Sequence, residues 1–224
     1  MNEAALTDLA ATVAERLCGK HEHVCVALIR HLAAGQPVSA AHLAADIAME
    51  EPAVRAVLQE MSDVAYDGVG NVVGFGLSLV PTAHQFTING KTLYTWCALD
   101  TFLYTALLGQ PSEVVSHCPI TAQPITLSMT PEDVAELSPT SSVISLVIPD
   151  GSIADCRRSA FCNHGHFFVT AEAGATWLND HPNGLILPIA DAHRLGQLLA
   201  GHRLLLAGDE GHVRRGSYGR DSIH

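Results

Sequence analysis

The spacing of apolar residues changes at Asp63, which limits the chain to folds that join a helical front to a strand-rich body. Residues 4–18 carry apolar side chains at helical spacing and stop at Gly19. Residues 24–34 repeat the pattern and stop at Gly35, with Pro37 beyond. Ser39 caps a short helix through Ile47, and Glu51-Pro52 opens another that reaches Met61. Two short helices joined by a tight turn read as a helix-turn-helix. After Asp63, residues 64–66, 72–79, 84–88 and 92–94 read as short strands. Asp67-Gly68, Gly70-Asn71, Pro81 and Asn89-Gly90 punctuate them. Helices followed by a hairpin predict a winged-helix-like region.

Residues 98–108 have the apolar content of a buried helix and end at Gly109. Strands are expected at 113–118, 125–129, 143–148, 166–169 and 185–189. Helices are expected at 172–179 and 191–205, the second broken or bent near Gly201. Thr130-Pro131-Glu132-Asp133 has the form of a helix start. Residues 208–224 are rich in Gly and Arg, and a mobile tail is expected there. Helices and strands in mixed order, with hairpin-length connections, predict an α+β fold with a mainly antiparallel sheet. The expected organisation is a winged-helix-like region over 1–80, a second domain over 81–206 and the tail over 207–224.

Composition removes several classes of function. A formal net charge of -11 repels nucleic-acid phosphates, and the would-be reader helix over 51–61 carries one arginine, Arg55, against Glu51 and Glu60. The helix-turn-helix therefore reads as a structural module, a cover for a downstream site, and no nucleic-acid partner is expected. No apolar run reaches the roughly 18 residues of a membrane helix. The start Met1-Asn2-Glu3-Ala4 has neither a basic region nor an apolar signal core, so a cytoplasmic protein is expected. Six cysteines, at 18, 25, 97, 118, 156 and 162, are too few for a disulfide scaffold and are expected as thiols.

Cys97 and Asp100 stand three residues apart in Tyr94-Thr95-Trp96-Cys97-Ala98-Leu99-Asp100. That is close to one helical turn, so both side chains can converge on one small ligand. A thiol grips a soft atom and a carboxylic acid delivers a proton beside it. A place at the helix N-terminus would favour the Cys97 thiolate, whereas the plain alternative is a small buried hydrophobe. Burial of Asp100 among Ala98, Leu99 and Phe102 would raise its pKa; its alternative role is to complement the helix dipole.

Cys162, His164 and His166 alternate with Asn163 and Gly165, so an extended segment would point all three one way and could hold zinc or copper. If Cys162 instead pairs with Cys97, two thiolates define a site for a very soft ion such as mercury or copper(I). Cys118 closes an apolar strand and reads as packing. The residues alone leave a metal-binding or sensing module and an enzyme both open.

The stretches Leu93-Tyr94-Thr95-Trp96-Cys97-Ala98-Leu99-Asp100-Thr101, Val115-Ser116-His117-Cys118 and Phe161-Cys162-Asn163-His164-Gly165-His166-Phe167-Phe168 resemble the bacterial organomercurial (alkylmercury) lyases. So do Val143-Ile144-Ser145-Leu146-Val147-Ile148-Pro149, Gly35-Gln36-Pro37-Val38-Ser39 and Gly74-Phe75-Gly76-Leu77-Ser78-Leu79. The resemblance runs from about residue 25 to about 205. It implies a lyase that cleaves R–Hg–X to R–H and Hg(II) in mercury detoxification, with the catalytic domain at 81–206.

It also implies roles. Cys97 and Cys162 would be the mercury-binding thiols, Asp100 the acid/base residue and a possible further ligand, and Cys118 structural. Tyr94, Trp96, Phe161 and Phe167 would wall the organic group. No cofactor would be required; external thiols would exchange on mercury, and Hg(II) would pass to cellular thiols or a mercuric reductase. One departure stands out: many members carry a second cysteine directly after the Cys162 position, where this chain has Asn163. The tail beyond about residue 206 has no counterpart.

Overall fold

In the computed structural model the described residues are 1–17, 19–61, 63–148 and 157–209. Four helices lead: α1 (Glu3–Leu17), α2 (Glu22–Leu32), α3 (Ala40–Asp46) and α4 (Glu51–Glu60). Five strands follow: β1 (Ala65–Tyr66), β2 (Val72–Phe75), β3 (Leu77–Ser78), β4 (His84–Ile88) and β5 (Lys91–Thr95). Then come α5 (Ala98–Leu108), β6 (Ser112–His117), β7 (Pro124–Met129), β8 (Val134–Ser138) and β9 (Val143–Val147). The chain continues through α6 (Arg157–Ala160), a 3-10 turn over Cys162–His164, β10 (Phe167–Phe168), α7 (Ala171–Leu178), β11 (Gly184–Pro188) and α8 (Ile189–Leu206).

Local signals explain the helices. In α1, Leu6, Leu9, Ala10, Val13, Ala14 and Leu17 recur three and four apart and are buried. The Ser39 side chain accepts the His42 N–H at 3.1 Å to start α3, and Pro52 occupies the first turn of α4, where its missing N–H is harmless. In α4, Arg55 is tied to Glu51 at 2.5 Å, so the one basic side chain of that helix is neutralised. α5 is apolar almost all round and is buried almost all round.

All paired strands are antiparallel. An eight-stranded sheet has the order β1-β2-β3-β5-β4-β6-β7-β8, and a second sheet the order β10-β9-β11. The large sheet runs from the helix-turn-helix region into the rest of the chain through the β3–β5 pair, Leu77 opposite Thr95. α5 touches β4 and β5 of this sheet and β9 of the other, and packs most extensively on α8. Across its other side α8 meets α1 and α2, where buried Arg203 pairs with buried Glu22 at 3.3 Å.

Three expectations differ from the structure, and that of the tail falls mostly outside the described residues. The single strand expected over 72–79 is two, folded back at Gly76, where φ is +71° and Phe75 pairs with Leu77. The helix expected at Thr130 is a turn into β8: the Thr130 hydroxyl accepts the N–H of Glu132 and Asp133, and the Thr130 N–H donates to the Asp133 carbonyl at 2.8 Å. Helix-capping chemistry also closes a turn, and pairing with β7 decided which formed here. α8 runs unbroken through Gly201, held by its neighbours on both sides. Of the expected tail, residues 207–209 fold back on the helix end, and Asp209 pairs with Arg30 at 2.6 Å; residues 210–224 lie outside the described residues.

The Gly76 turn links the N-terminal region to the body of the protein. Its carbonyl accepts the Trp96 N–H at 2.9 Å, and a Cβ built at Gly76 would stand 1.8 Å from the Tyr104 hydroxyl oxygen. Gly76→Ala therefore meets both left-handed strain and a clash with α5. It is expected to cost about 2–4 kcal/mol of stability, read from the midpoint of urea unfolding at unchanged slope.

Candidate active site

β5 carries the chain to Cys97, which has extended backbone angles and forms the N-cap of α5. The Cys97 N–H donates to the Asp100 carboxylate at 3.2 Å, and the Cys97 side chain faces the Asp100 N–H in return. This is a capping box in which a thiol stands where serine or threonine is usual. Two hydroxyls lock the junction: Thr95 donates to the Cys97 carbonyl at 3.0 Å and Thr101 to the Ala98 carbonyl at 2.7 Å.

Cys162 returns to this point on a turn. The Ala98 N–H, one of the helix-end donors that α5 leaves unpaired, donates to the Gly165 carbonyl at 2.9 Å. The Gly165 N–H donates to the Cys162 carbonyl at 3.1 Å. A Cβ at Gly165 would lie 2.7 Å from the Cys97 Cβ, so no other residue fits this contact unmoved. Ser145 on β9 fixes the turn from behind, donating to the His164 carbonyl at 2.7 Å and accepting the His166 N–H at 3.0 Å.

The ligand atoms of Cys97, Asp100 and Cys162 thereby fall within 4.8 Å of one another, and all three residues are buried. That span is about twice a metal–thiolate bond of about 2.3 Å, so one soft ion can touch both sulfurs. Among the described residues this is the one cluster of its kind. The extended Cys162-x-His164-x-His166 ligand set is not formed, because Cys162–His164 is a 3-10 turn that separates the side chains. The His164 ring instead bonds the Ser159 carbonyl at 3.1 Å, and the His166 ring packs edge-on against Trp177.

Burial dominates the electrostatics. It pushes the Cys97 thiol well above its ordinary range, helped by a hydrogen bond with Cys162 and the nearby Asp100 charge. The N-terminus of α5 does not reverse this, contrary to the expectation of a favoured thiolate. Burial also raises the Asp100 carboxyl, against the pull of the Cys97 hydrogen bond and of Arg203 and Arg157. Before a ligand arrives the Cys97 thiol therefore keeps its proton, with the Asp100 carboxyl as a hydrogen-bonded neighbour of raised proton affinity.

Beside the cluster lies a narrow, largely enclosed cavity of about 10 Å³, room for roughly one water, so an organic group enters only if the walls move. Asp100, Cys162, Phe161, Tyr104, Arg157 and Arg203 border it, and Leu17, Phe75 and Gly76 close it from the N-terminal side. Of the four aromatic residues expected to wall the organic group, Phe161 borders the cavity. Trp96 packs edge-on against Phe75 under the Arg158 guanidinium, Phe167 packs on His84 and Phe102, and Tyr94 is half-buried on β5. Cys118 is buried at the end of β6 and takes no part in the cluster. Cys18 and Cys156 lie outside the described residues.

Arg157, Arg203, Tyr104 and Gly165 are not legible as site residues in the sequence. They occupy a short helix, the closing helix, a buried helix face and a turn, and nothing in their local pattern marks them.

Gly165→Ala must push the Cys162 turn off Cys97. It is expected to weaken capture of a soft metal ion shared by the two sulfurs by about 100-fold, measured by competition with a dithiol chelator. Asp100 gives a pH prediction. Its folded pKa lies above the ordinary 3.8, so the fold is stabilised below that value and loses stability as pH rises through the folded pKa. Asp100→Asn should therefore raise the thermal midpoint at about pH 7.5, and the gain should vanish below the ordinary carboxylate value.

A family model described as alkylmercury lyase matches residues 77–201, and one described as the helix-turn-helix domain of alkylmercury lyase matches residues 7–76. The alkylmercury lyase of Streptomyces lividans is 42% identical over 182 residues, covering 81% of this chain and 83% of that protein. That of Staphylococcus epidermidis is 42% identical over 77% of this chain and 79% of its own length. That of Pseudomonas putida is 41% identical over 80% of this chain and 84% of its own length. A crystal structure of the mercury-bound form of MerB2 superposes with a TM-score of 0.73 at 24% identity, over 90% of this chain and all of that one, and so shares the fold. With models matching both its helical front and its site-bearing body, this chain belongs to the alkylmercury lyase family.

Proposed function

We propose that this protein is an organomercurial lyase that cleaves R–Hg–X to R–H and Hg(II) at Cys97, Asp100 and Cys162. The observation that carries the reading is the buried convergence of two thiols and one carboxyl within 4.8 Å. A soft metal needs the thiols, and the carbon leaving it needs a proton at the same point.

Two soft ligands and one acid set the order of events. One thiol, Cys162, displaces X from R–Hg–X, and its proton leaves as HX. Cys97 passes its proton along the existing hydrogen bond to Asp100 and adds to mercury as thiolate. The three-coordinate mercury pushes electron density onto its carbon, and Asp100 protonates that carbon as the bond breaks. R–H leaves, Hg(II) stays on the two thiolates, and Asp100 is a carboxylate again. Carbon protonation is slow in water because the carbon–mercury bond is barely polarised. Fixing metal and acid in one rigid, dry site supplies the orientation and removes competing water.

Mercury is the substrate's own atom, and the residues of the site need no resident cofactor for this sequence. Small thiols would exchange on mercury before and after the reaction. Hg(II) would pass to cellular thiols or a mercuric reductase, with Asn163 offering no relay thiol beside Cys162. No helix among the described residues is long and apolar enough to cross a membrane. The net charge of -11 and the Glu51–Arg55 pair on α4 support an enzyme of the cytoplasm without a nucleic-acid partner.

Reduced protein incubated with phenylmercuric acetate and excess thiol should release benzene and Hg(II); mercury binding without benzene would overturn the reading. Asp100→Ala should still bind the organomercurial but cleave it at least about 100-fold more slowly.

A further inference from the structure

The proposed reaction moves one unit of negative charge inside a buried site. It rests on Asp100 as carboxylate, shifts to the dithiolate-bound R–Hg group when Asp100 takes the Cys97 proton, and returns to Asp100 when carbon is protonated. A charge confined in so dry a place needs a fixed counter-charge, since water cannot reorient around it.

Two guanidiniums border the cavity. Arg203 faces the Glu22 carboxylate at 3.3 Å, and both are buried, so their charges offset each other. Arg157 differs. Among the described residues no carboxylate lies within ion-pair distance of it. One of its terminal nitrogens donates to the Leu17 carbonyl at 2.6 Å, and its guanidinium sits 5.0 Å over the Phe75 ring. Its Nε–H is buried and has no acceptor. A buried donor left without a partner in the wall of a reaction cavity is costly unless some state of the reaction supplies the acceptor.

We propose that Arg157 is the counter-cation of carbon–mercury cleavage, its guanidinium holding the negative charge that moves between Asp100 and the dithiolate-bound mercury. The Leu17 carbonyl and the Phe75 ring hold the group in place before substrate arrives, so the positive charge needs no reorganisation during the step. The assignment rests on the lyase reading. It adds a positively charged group to a site otherwise built of two thiols and an acid.

The test compares full-length wild type, Arg157→Gln and Arg157→Lys with phenylmercuric acetate, following benzene in single-turnover and steady-state assays. Arg157→Gln is expected to lower kcat by about 10- to 100-fold with KM changed less than about threefold. Arg157→Lys, which keeps the charge and loses the Nε–H, should recover most of that loss. Circular dichroism and the thermal midpoint establish that each variant is folded; if Arg157→Gln does not fold, the rate of Arg157→Lys across ionic strength decides. A rate in Arg157→Lys that stays near wild type as salt rises supports a buried fixed charge, and a rate that collapses with salt overturns it. A kcat for folded Arg157→Gln within about twofold of wild type, a loss confined to KM, or Lys performing no better than Gln also overturns the assignment. Wild type that releases no benzene removes the lyase reading itself, whereas wild-type cleavage with an unaffected Gln variant removes only the role of Arg157.

Discussion

The contact on which this site depends is between the backbone of Gly165 and the N-terminus of α5. Its carbonyl takes the Ala98 N–H, while its missing side chain lets the turn lie against the Cys97 Cβ. One hydrogen bond and one close approach bring together two thiols that are 65 residues apart (162 − 97). The surroundings over-determine that contact. Ser145 grips the turn from β9, β10 pairs with β9 immediately after it, and α5 is clamped between the sheets and α8. A soft ion shared by two sulfurs demands such rigidity, because a displacement of about 1 Å in a bonded geometry is worth orders of magnitude in rate.

The same burial that fixes the geometry sets the chemistry. In water a thiol beside a carboxylate would gain little from the pairing. Here desolvation holds the proton on Cys97 and raises the proton affinity of Asp100 beside it. The capping box that would stabilise an ordinary helix end thus also sets the thiol and the carboxyl side by side. The helix-turn-helix region contributes to this dryness. Leu17, Phe75 and Gly76 close the cavity, and the Trp96 N–H to Gly76 carbonyl bond fastens that cover to the residue before Cys97. A module whose one basic α4 side chain is neutralised in place serves as a wall.

Legibility in the sequence followed the range of the interactions involved. The ends of α5, the β4–β5 hairpin and the Ser39 cap depend on neighbours within a few residues, and the pattern exposes them. The break at Gly76 and the turn at Thr130 are not legible for one reason. Each local signal is compatible with two conformations, and pairing with a distant strand chose between them. The alternation Cys162-x-His164-x-His166 suggested a strand, yet the backbone there closes a 3-10 turn because Ser145 and the α5 N-terminus take its carbonyls.

The sequence by itself determined the reactive groups: a thiol and a carboxyl one helical turn apart, a second thiol downstream, and a helical front ahead of a strand-rich body. Those follow from residue identity and short-range spacing. Only the tertiary structure decided that Cys162 meets Cys97, that the histidines beside it do not join them, and that Arg157 and Arg203 reach the same cavity from α6 and α8. Such meetings depend on how the sheets and helices pack, and burial then sets the proton affinities of the groups they enclose.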